Sequence, residues 1–287
     1  MACDKTASLN DVESTIYLFR HGARYDLANH SWREKVISVG GLPTDPPLSS
    51  VGHEQARERA TKLENVKVDK ILSSPYLRTI QTAVPFSERF NVPICIEDGL
   101  AEAPHVPGVL PSTMERYIYF PQVDTNYQTI LNPIASPDDI HFLLKKPQEP
   151  FPEEYFKRVW KLKEMLEEGY HGKTVLCFSH AASLALVAAL LNCDIEEIPA
   201  GVNCKGSERT DLFAPLGVYK LTRKGTGKWT LLMNGSSSND LSSNDETTFP
   251  WGYHHLNRPS HDHYCSDANK IWKEIMQNHK SITKETE

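Results

Sequence analysis

The chain has 287 residues, is 39% hydrophobic and 24% charged, and carries a formal net charge of -6 at pH 7. That length and balance suit one large globular domain, or two small ones, with a sizeable core. The negative balance argues against long-range attraction to nucleic acid or to an anionic membrane, so an anionic ligand would need a local basic pocket.

Ser14 to Phe19 is an apolar run with the composition of a buried strand. A long polar loop follows, with Gly and Pro concentrated between Gly40 and Pro47. Ser49 or Ser50 can cap a helix reaching about Glu64. Lys70 to Ser73 reads as a short strand, and Pro75 opens a helix that ends near Phe90. Val92 to Ile96 is a third strand. Residues 103–150 are rich in proline and aromatics, and read as an insertion covering one end of the sheet, either as a lid or as a packed structural excursion. Pro152 to Glu168 has Phe156, Val159, Leu162 and Leu166 at helical spacing. Thr174 to Phe178 is a buried-type strand, Ser183 to Leu191 an apolar helix, and Val218–Thr222 with Lys228–Leu232 a hairpin about Gly225-Thr226-Gly227. Residues 1–13 read as an N-terminal arm, 14–233 as the main domain, and 234–287 as a polar tail with a short helix near Ala268 to Gln277.

Alternating strands and helices imply a three-layer αβα sandwich with a mostly parallel central sheet. Ligands of such sheets bind beyond the carboxyl ends of the strands. Two histidines fall there: His21 in Arg20-His21-Gly22-Ala23-Arg24 after the first strand, and His180 in Ser179-His180 after the fourth. An imidazole flanked by arginines suits chemistry on phosphate. The ring supplies a nucleophilic nitrogen and the guanidinium groups supply planar donor forks matching phosphate oxygens. Arg78 sits in the first turn of a helix, where a cation opposes the helix dipole; a bound anion explains it better than stability does.

No apolar stretch has the length of a membrane span, and the N-terminus lacks a signal-peptide core. The six cysteines show no close spacing and read as reduced thiols, which suggests a cytoplasmic protein. His254, His255, His261, His263 and Cys265 crowd the tail without a firm metal-ligand spacing. The preferred reading there is a polar tail anchored by Trp251, Tyr253 and Tyr264, with no metal.

Arg20-His21-Gly22, Leu48-Ser49-Ser50-Val51-Gly52, Ser73-Ser74-Pro75-Tyr76-Leu77-Arg78-Thr79 and Ser179-His180 together resemble the histidine phosphatase (phosphoglycerate mutase-like) superfamily. Arg24-Tyr25-Asp26, Gly99-Leu100-Ala101-Glu102 and His180-Ala181-Ala182-Ser183 are most similar to the Sts-type phosphatase domains of its branch 1, a group that includes insect steroid-phosphate phosphatases. The chain is too short to hold the further modules of full-length Sts proteins, so it is expected to be a stand-alone phosphatase or an excised domain.

The resemblance implies a phosphomonoester hydrolase. His21 would be the nucleophile and form a phosphohistidine, its second ring nitrogen held by a backbone carbonyl near Gly22. Arg20, Arg24, Arg78 and His180 would bind the phosphoryl oxygens, and Glu102 would act as general acid and base. Ser183 either contacts phosphate or caps and packs, and Arg24 is either a phosphate contact or an ordinary loop arginine. No cofactor or metal is implied, because arginines supply the positive charge. Two other readings stay open: a weakly active fold that binds phosphorylated partners, and a mutase-type phosphotransferase. Tyr25-Asp26, where mutases continue differently, counts against the last. Expected partners are a phosphotyrosine protein or a small phosphate ester, and a second copy of the chain in a homodimer.

Overall fold

The computed structural model describes residues 12–29, 31–39, 43, 45–102, 119–129, 153–192 and 215–236. In chain order these form β1 (Glu13–Arg20), α1 (Tyr25–Ala28), α2 (Trp32–Ser38), α3 (Ser50–Lys62), β2 (Lys70–Ser73), α4 (Leu77–Phe90), β3 (Ile94–Ile96), a 3-10 turn (Asp98–Leu100), α5 (Glu153–Glu168), β4 (Thr174–Ser179), α6 (Ala181–Asn192), β5 (Val218–Lys224) and β6 (Thr230–Ser236).

The six strands make one sheet in the order β3-β2-β4-β1-β5-β6. The pairs β2–β3, β2–β4 and β1–β4 are parallel, while β5 and β6 complete the sheet antiparallel. The central strands β1 and β4 are buried on both faces, which is why each reads as an unbroken apolar run rather than an alternating one. Their side chains still alternate. Ile16, Leu18, Val175 and Cys177 pack with Val159, Leu162, Leu184 and Val187 of α5 and α6. Tyr17, Phe19, Leu176 and Phe178 pack with Ala60, Ile80, Ala83 and Phe86 of α3 and α4. On that second side Phe19 stacks on Phe178 with centroids 5.2 Å apart, and Phe86 lies 5.1 Å from Phe19. The sandwich is therefore the expected three-layer αβα arrangement with a mostly parallel sheet.

Three local departures have physical causes. The polar loop after β1 holds two short helices, α1 and α2, with no buried residue, so no apolar periodicity announces them. Helix α4 begins at Leu77 rather than at Pro75, because the Leu77 amide is capped from a distant loop by Asp45 Oδ1 at 2.8 Å. The described part of the 103–150 insertion runs beside the β3 edge: Ile94 N donates to Gln122 O and Asp124 N to Ile94 O, each at 2.8 Å. The rest of the insertion, the 1–11 arm, and the tail with its helix near Ala268 and its histidine cluster lie outside the described residues. Cys95 and Cys177 are buried free thiols. Among the described residues no helix is long and apolar enough to cross a membrane.

Outside the carboxyl ends of β1 and β4 the chain leaves in opposite directions, toward β2 on one side and β5 on the other. This is the switch point at which open α/β sheets bind ligands. The loop after β1 is pinned there by α3. Ser49 caps that helix by accepting from Gly52 N at 3.1 Å, while its own amide donates to Ala23 O at 2.9 Å. A Cβ on Gly52 would stand 2.2 Å from Ala23 O. Alanine in place of glycine ordinarily helps a helix by about 1 kcal/mol. Here Gly52→Ala is expected to destabilise by about 1–3 kcal/mol, the usual range for overpacking. A raised melting temperature in that variant would show that the two backbones are not locked together.

Candidate active site

β1 ends at Arg20 and β4 ends at Ser179, and the two are in register. The next residue in each strand is a histidine, so His21 and His180 emerge side by side, their ring centroids 5.5 Å apart. His21 N donates to Ser179 O at 3.1 Å, which fixes the two turns to each other. Both rings are buried, at 3% and 0% exposure.

His21 Nδ1 lies 2.8 Å from Gly22 O. A carbonyl only accepts, so Nδ1 carries the proton and Nε2 keeps its lone pair. Burial pushes the His21 pKa well below its ordinary value, and Arg78, Arg20 and His180 push in the same direction. The ring is thus neutral and oriented, as a nitrogen nucleophile must be. Gly22 is held in turn: its amide donates to Thr82 Oγ1 at 3.1 Å, and a Cβ there would meet Gly52 O at 2.7 Å. Glycine is needed at this position for close approach of two backbones.

His180 is lowered to about 4, first by burial and against the pull of Glu102. Its Nε2 is 2.9 Å from Ser74 Oγ, and its Nδ1 is 3.0 Å from Arg78 Nη2 and 3.2 Å from Glu102 Oε2. The single proton of the neutral ring decides among these contacts. With the proton on Nε2 the ring donates to Ser74 and accepts from Arg78. With it on Nδ1 the ring donates to Glu102 and accepts from the Ser74 hydroxyl. Tyr76 packs edge-on to His180 at 4.8 Å, and Arg78 lies 4.5 Å above the Tyr76 ring.

The positive charge is concentrated and dry. Arg20 and Arg78 are 6% and 2% exposed. Burial lowers the Arg20 pKa to about 10 and lowers that of Arg78, yet both remain cations at neutral pH. Arg78 faces two carboxylates, Asp45 at 3.8 Å and Glu102 at 3.5 Å. Arg24 borders this group closely enough to act electrostatically on Arg20, Arg78 and His180, but its fork is spent on Asp26 at 2.9 and 2.6 Å.

The structure therefore gathers His21, Arg20, Arg78, His180 and Glu102 at one crevice, with Arg24 at its rim. Ser183 is fully buried, and its hydroxyl donates to Ala101 O at 2.9 Å, on the backbone that leads to Glu102. Sequence reasoning missed Asp45, Ser74, Thr82 and Arg158. Ser74 lies inside a motif segment and Asp45 in the loop before another, but nothing in the residue string says that Asp45 caps α4 and Ser74 meets His180. Among the described residues no three His, Cys, Asp or Glu side chains are gathered as metal ligands.

Residues 16–115 match the family profile of the histidine phosphatase superfamily (branch 1). That match covers about a third of the chain. It holds Arg20, His21, Arg24, Arg78 and Glu102, and the sheet register adds His180 from beyond it. Two curated proteins are similar in sequence. The "Transcription factor tau 55 kDa subunit" of Saccharomyces cerevisiae is 27% identical over 265 residues, 82% of this chain and 58% of that protein. The "Putative phosphoserine phosphatase 2" of Hydrogenobacter thermophilus is 28% identical over 176 residues, 61% of this chain and 77% of that protein. The chain thus spans little more than half the length of the yeast relative. Among solved structures, the ecdysone phosphate phosphatase from Bombix mori superposes with a TM-score of 0.53 at 18% identity, covering 85% of this chain and 99% of that one. That likeness concerns the fold, which is phosphoglycerate mutase-like.

Two buried neutral imidazoles have a consequence for stability. The folded pKa of each is depressed below the free value of 6.5. The unfolded chain therefore binds protons that the folded chain refuses. Stability from this source is complete above pH 6.5 and is lost as pH falls from there toward about 4. Each unit of depression corresponds to about 1.4 kcal/mol. The melting temperature of the wild type is expected to fall more steeply across that window than that of His180→Asn. Parallel curves would show that His180 is not held neutral by the fold.

Proposed function

We propose that this protein is a phosphomonoester hydrolase working through a phosphohistidine. The observation that carries the reading is the His21 Nδ1 contact with Gly22 O, which leaves Nε2 bare among buried guanidinium groups. In the first half-reaction His21 Nε2 attacks phosphorus, the bond to the ester oxygen breaks, and Glu102 gives that oxygen its proton. In the second, water attacks phosphorus, Glu102 takes the water proton, and the bond to His21 breaks to release phosphate. Arg20, Arg78 and His180 supply fixed positive potential and donors to the transferring group, with no metal assigned a part. Arg24 joins them when phosphate competes with Asp26 for its fork. Sts-type substrates, phosphotyrosine and other aryl or apolar phosphate esters, are the class proposed, on the motif resemblance and on the Tyr76 ring beside His180.

A different reading, a fold that binds phosphorylated partners without turnover, is favoured by one observation: the yeast relative is named as a subunit of a transcription factor. A single experiment separates the two. Aryl phosphate turnover by the wild type and a phosphoenzyme trapped by acid quench from radiolabelled substrate are both expected. His21→Ala should lose both, with turnover down by at least about 10³-fold, in line with the loss of a nucleophile. Saturable binding of a phosphopeptide with no covalent label would establish the binder instead. The low His21 pKa also places the acid limb of kcat/KM below pH 6.5. An acid limb at or above that value would contradict a pre-deprotonated nucleophile.

A further inference from the structure

Glu102 follows the 3-10 turn on an extended segment with no regular structure of its own. Such segments are ordinarily mobile, yet a general acid must be placed to within a fraction of an ångström. The backbone here is tied carbonyl by carbonyl. Arg158 Nη1 donates to Gly99 O at 2.9 Å and Ala101 O at 3.1 Å, with a longer contact to Asp98 O at 3.4 Å. Its Nη2 donates to Glu102 O at 3.3 Å. Ser183 adds a second bond to Ala101 O, and the Ser179 hydroxyl donates to Leu100 O. Consecutive carbonyls from 98 to 102 are thus held by side chains from α5, β4 and α6.

Arg158 is well suited to this. It is 5% exposed and lies four and eight residues before Leu162 and Leu166, on the buried stripe of α5. The turn rests directly on that stripe, since a Cβ on Gly99 would come within 3.2 Å of Leu162. A planar guanidinium spreads five donors over a fixed fork and so spans several carbonyls from one position, whereas an ammonium group offers three donors from a single point.

We infer that Arg158 is a positioning residue for Glu102: by gathering the carbonyls of residues 98–102 it sets the carboxyl group beside His180 and over the phosphoryl site. The inference rests on the phosphatase reading for its kinetic consequences but not for its geometry. In this inference Arg158 is a positioning residue that acts through Glu102.

The test compares wild type, Arg158→Gln, Arg158→Lys, Glu102→Gln and the Arg158→Gln/Glu102→Gln double variant on two esters. p-Nitrophenyl phosphate has a leaving group that scarcely needs a proton, whereas an alkyl phosphate needs one. Displacing an acid by about 1 Å can cost about 100-fold. Arg158→Gln is expected to lose about that factor in kcat on the alkyl ester, less than about tenfold on p-nitrophenyl phosphate, and little in KM. Arg158→Lys should recover part of the loss, and the double variant should be no worse than Glu102→Gln alone. Equal losses on both esters, or losses that multiply in the double variant, would overturn the inference in favour of a purely structural arginine. If Arg158→Gln does not fold, Ser183→Ala, which removes one tie to Ala101, should show the same ester bias at smaller size, and an equal loss on both esters overturns it. A wild type without turnover would sink the phosphatase reading but not this one. Nitrogen NMR of the His180 ring then decides: Glu102 raises the His180 pKa, so Arg158→Gln should lower it further, and an unchanged titration would refute the inference.

Discussion

The in-register parallel pairing of β1 with β4 holds the rest of the molecule in place. Arg20 opposite Ser179 means that the chain turns out of both strands at the same height, and the two histidines follow at once. The register is enforced by packing rather than by the site. A slip of one residue between the strands would turn either Phe19 or Phe178 away from Phe86 and into the layer built by α5 and α6, breaking their stack. The aromatic stack on one face therefore determines how far apart two imidazoles sit at the strand ends, and the site inherits the precision of the core.

The electrostatics follow from that placement. Two arginines and two histidines share a buried volume in which the arginines remain charged. The imidazoles are the cheaper groups to neutralise, and burial beside cations does this. Serine-type triads use a carboxylate to orient the ring. Here a backbone carbonyl one residue away performs that task for His21 and adds no negative charge that would repel phosphate. The carboxylates present, Asp45 and Glu102, lie against Arg78 instead, where they offset its burial.

What the sequence disclosed and what it withheld divide along the same physical line. Strand ends were legible because a strand buried on both faces must be apolar, and a charged or titratable residue directly after it is conspicuous. Arg20-His21 and Ser179-His180 stood out for that reason, and the carbonyl beside Gly22 was inferable because a nucleophilic ring needs a partner on its other nitrogen. Asp45, Thr82 and Arg158 were hidden because the hydrogen bonds by which they shape the site run to backbone atoms, which every residue carries. An arginine that satisfies itself on carbonyls leaves no complementary acid in the sequence. The only trace of Arg158 was a cation on the stripe of α5 otherwise made by Leu162 and Leu166. Ser183 was ambiguous for the converse reason: a serine near a histidine suggests a ligand contact, and only the structure shows that its proton goes to Ala101.

A fold kept only to bind phosphorylated partners would need the arginines but little else. Affinity for phosphate comes from charge and fork geometry, which Arg20, Arg24 and Arg78 provide. It does not require an imidazole kept neutral with Nε2 bare, since a protonated ring would bind an anion better. Nor does it require a carboxylate at the same crevice, which would repel one. Both features oppose binding, and the proposed covalent transfer and proton delivery would use them. Holding Glu102 there takes a buried arginine, two buried hydroxyls and a run of backbone carbonyls. Maintaining that arrangement against phosphate affinity is intelligible if the group being stabilised is a transition state, in which an oxygen is gaining a proton, rather than a resting phosphate.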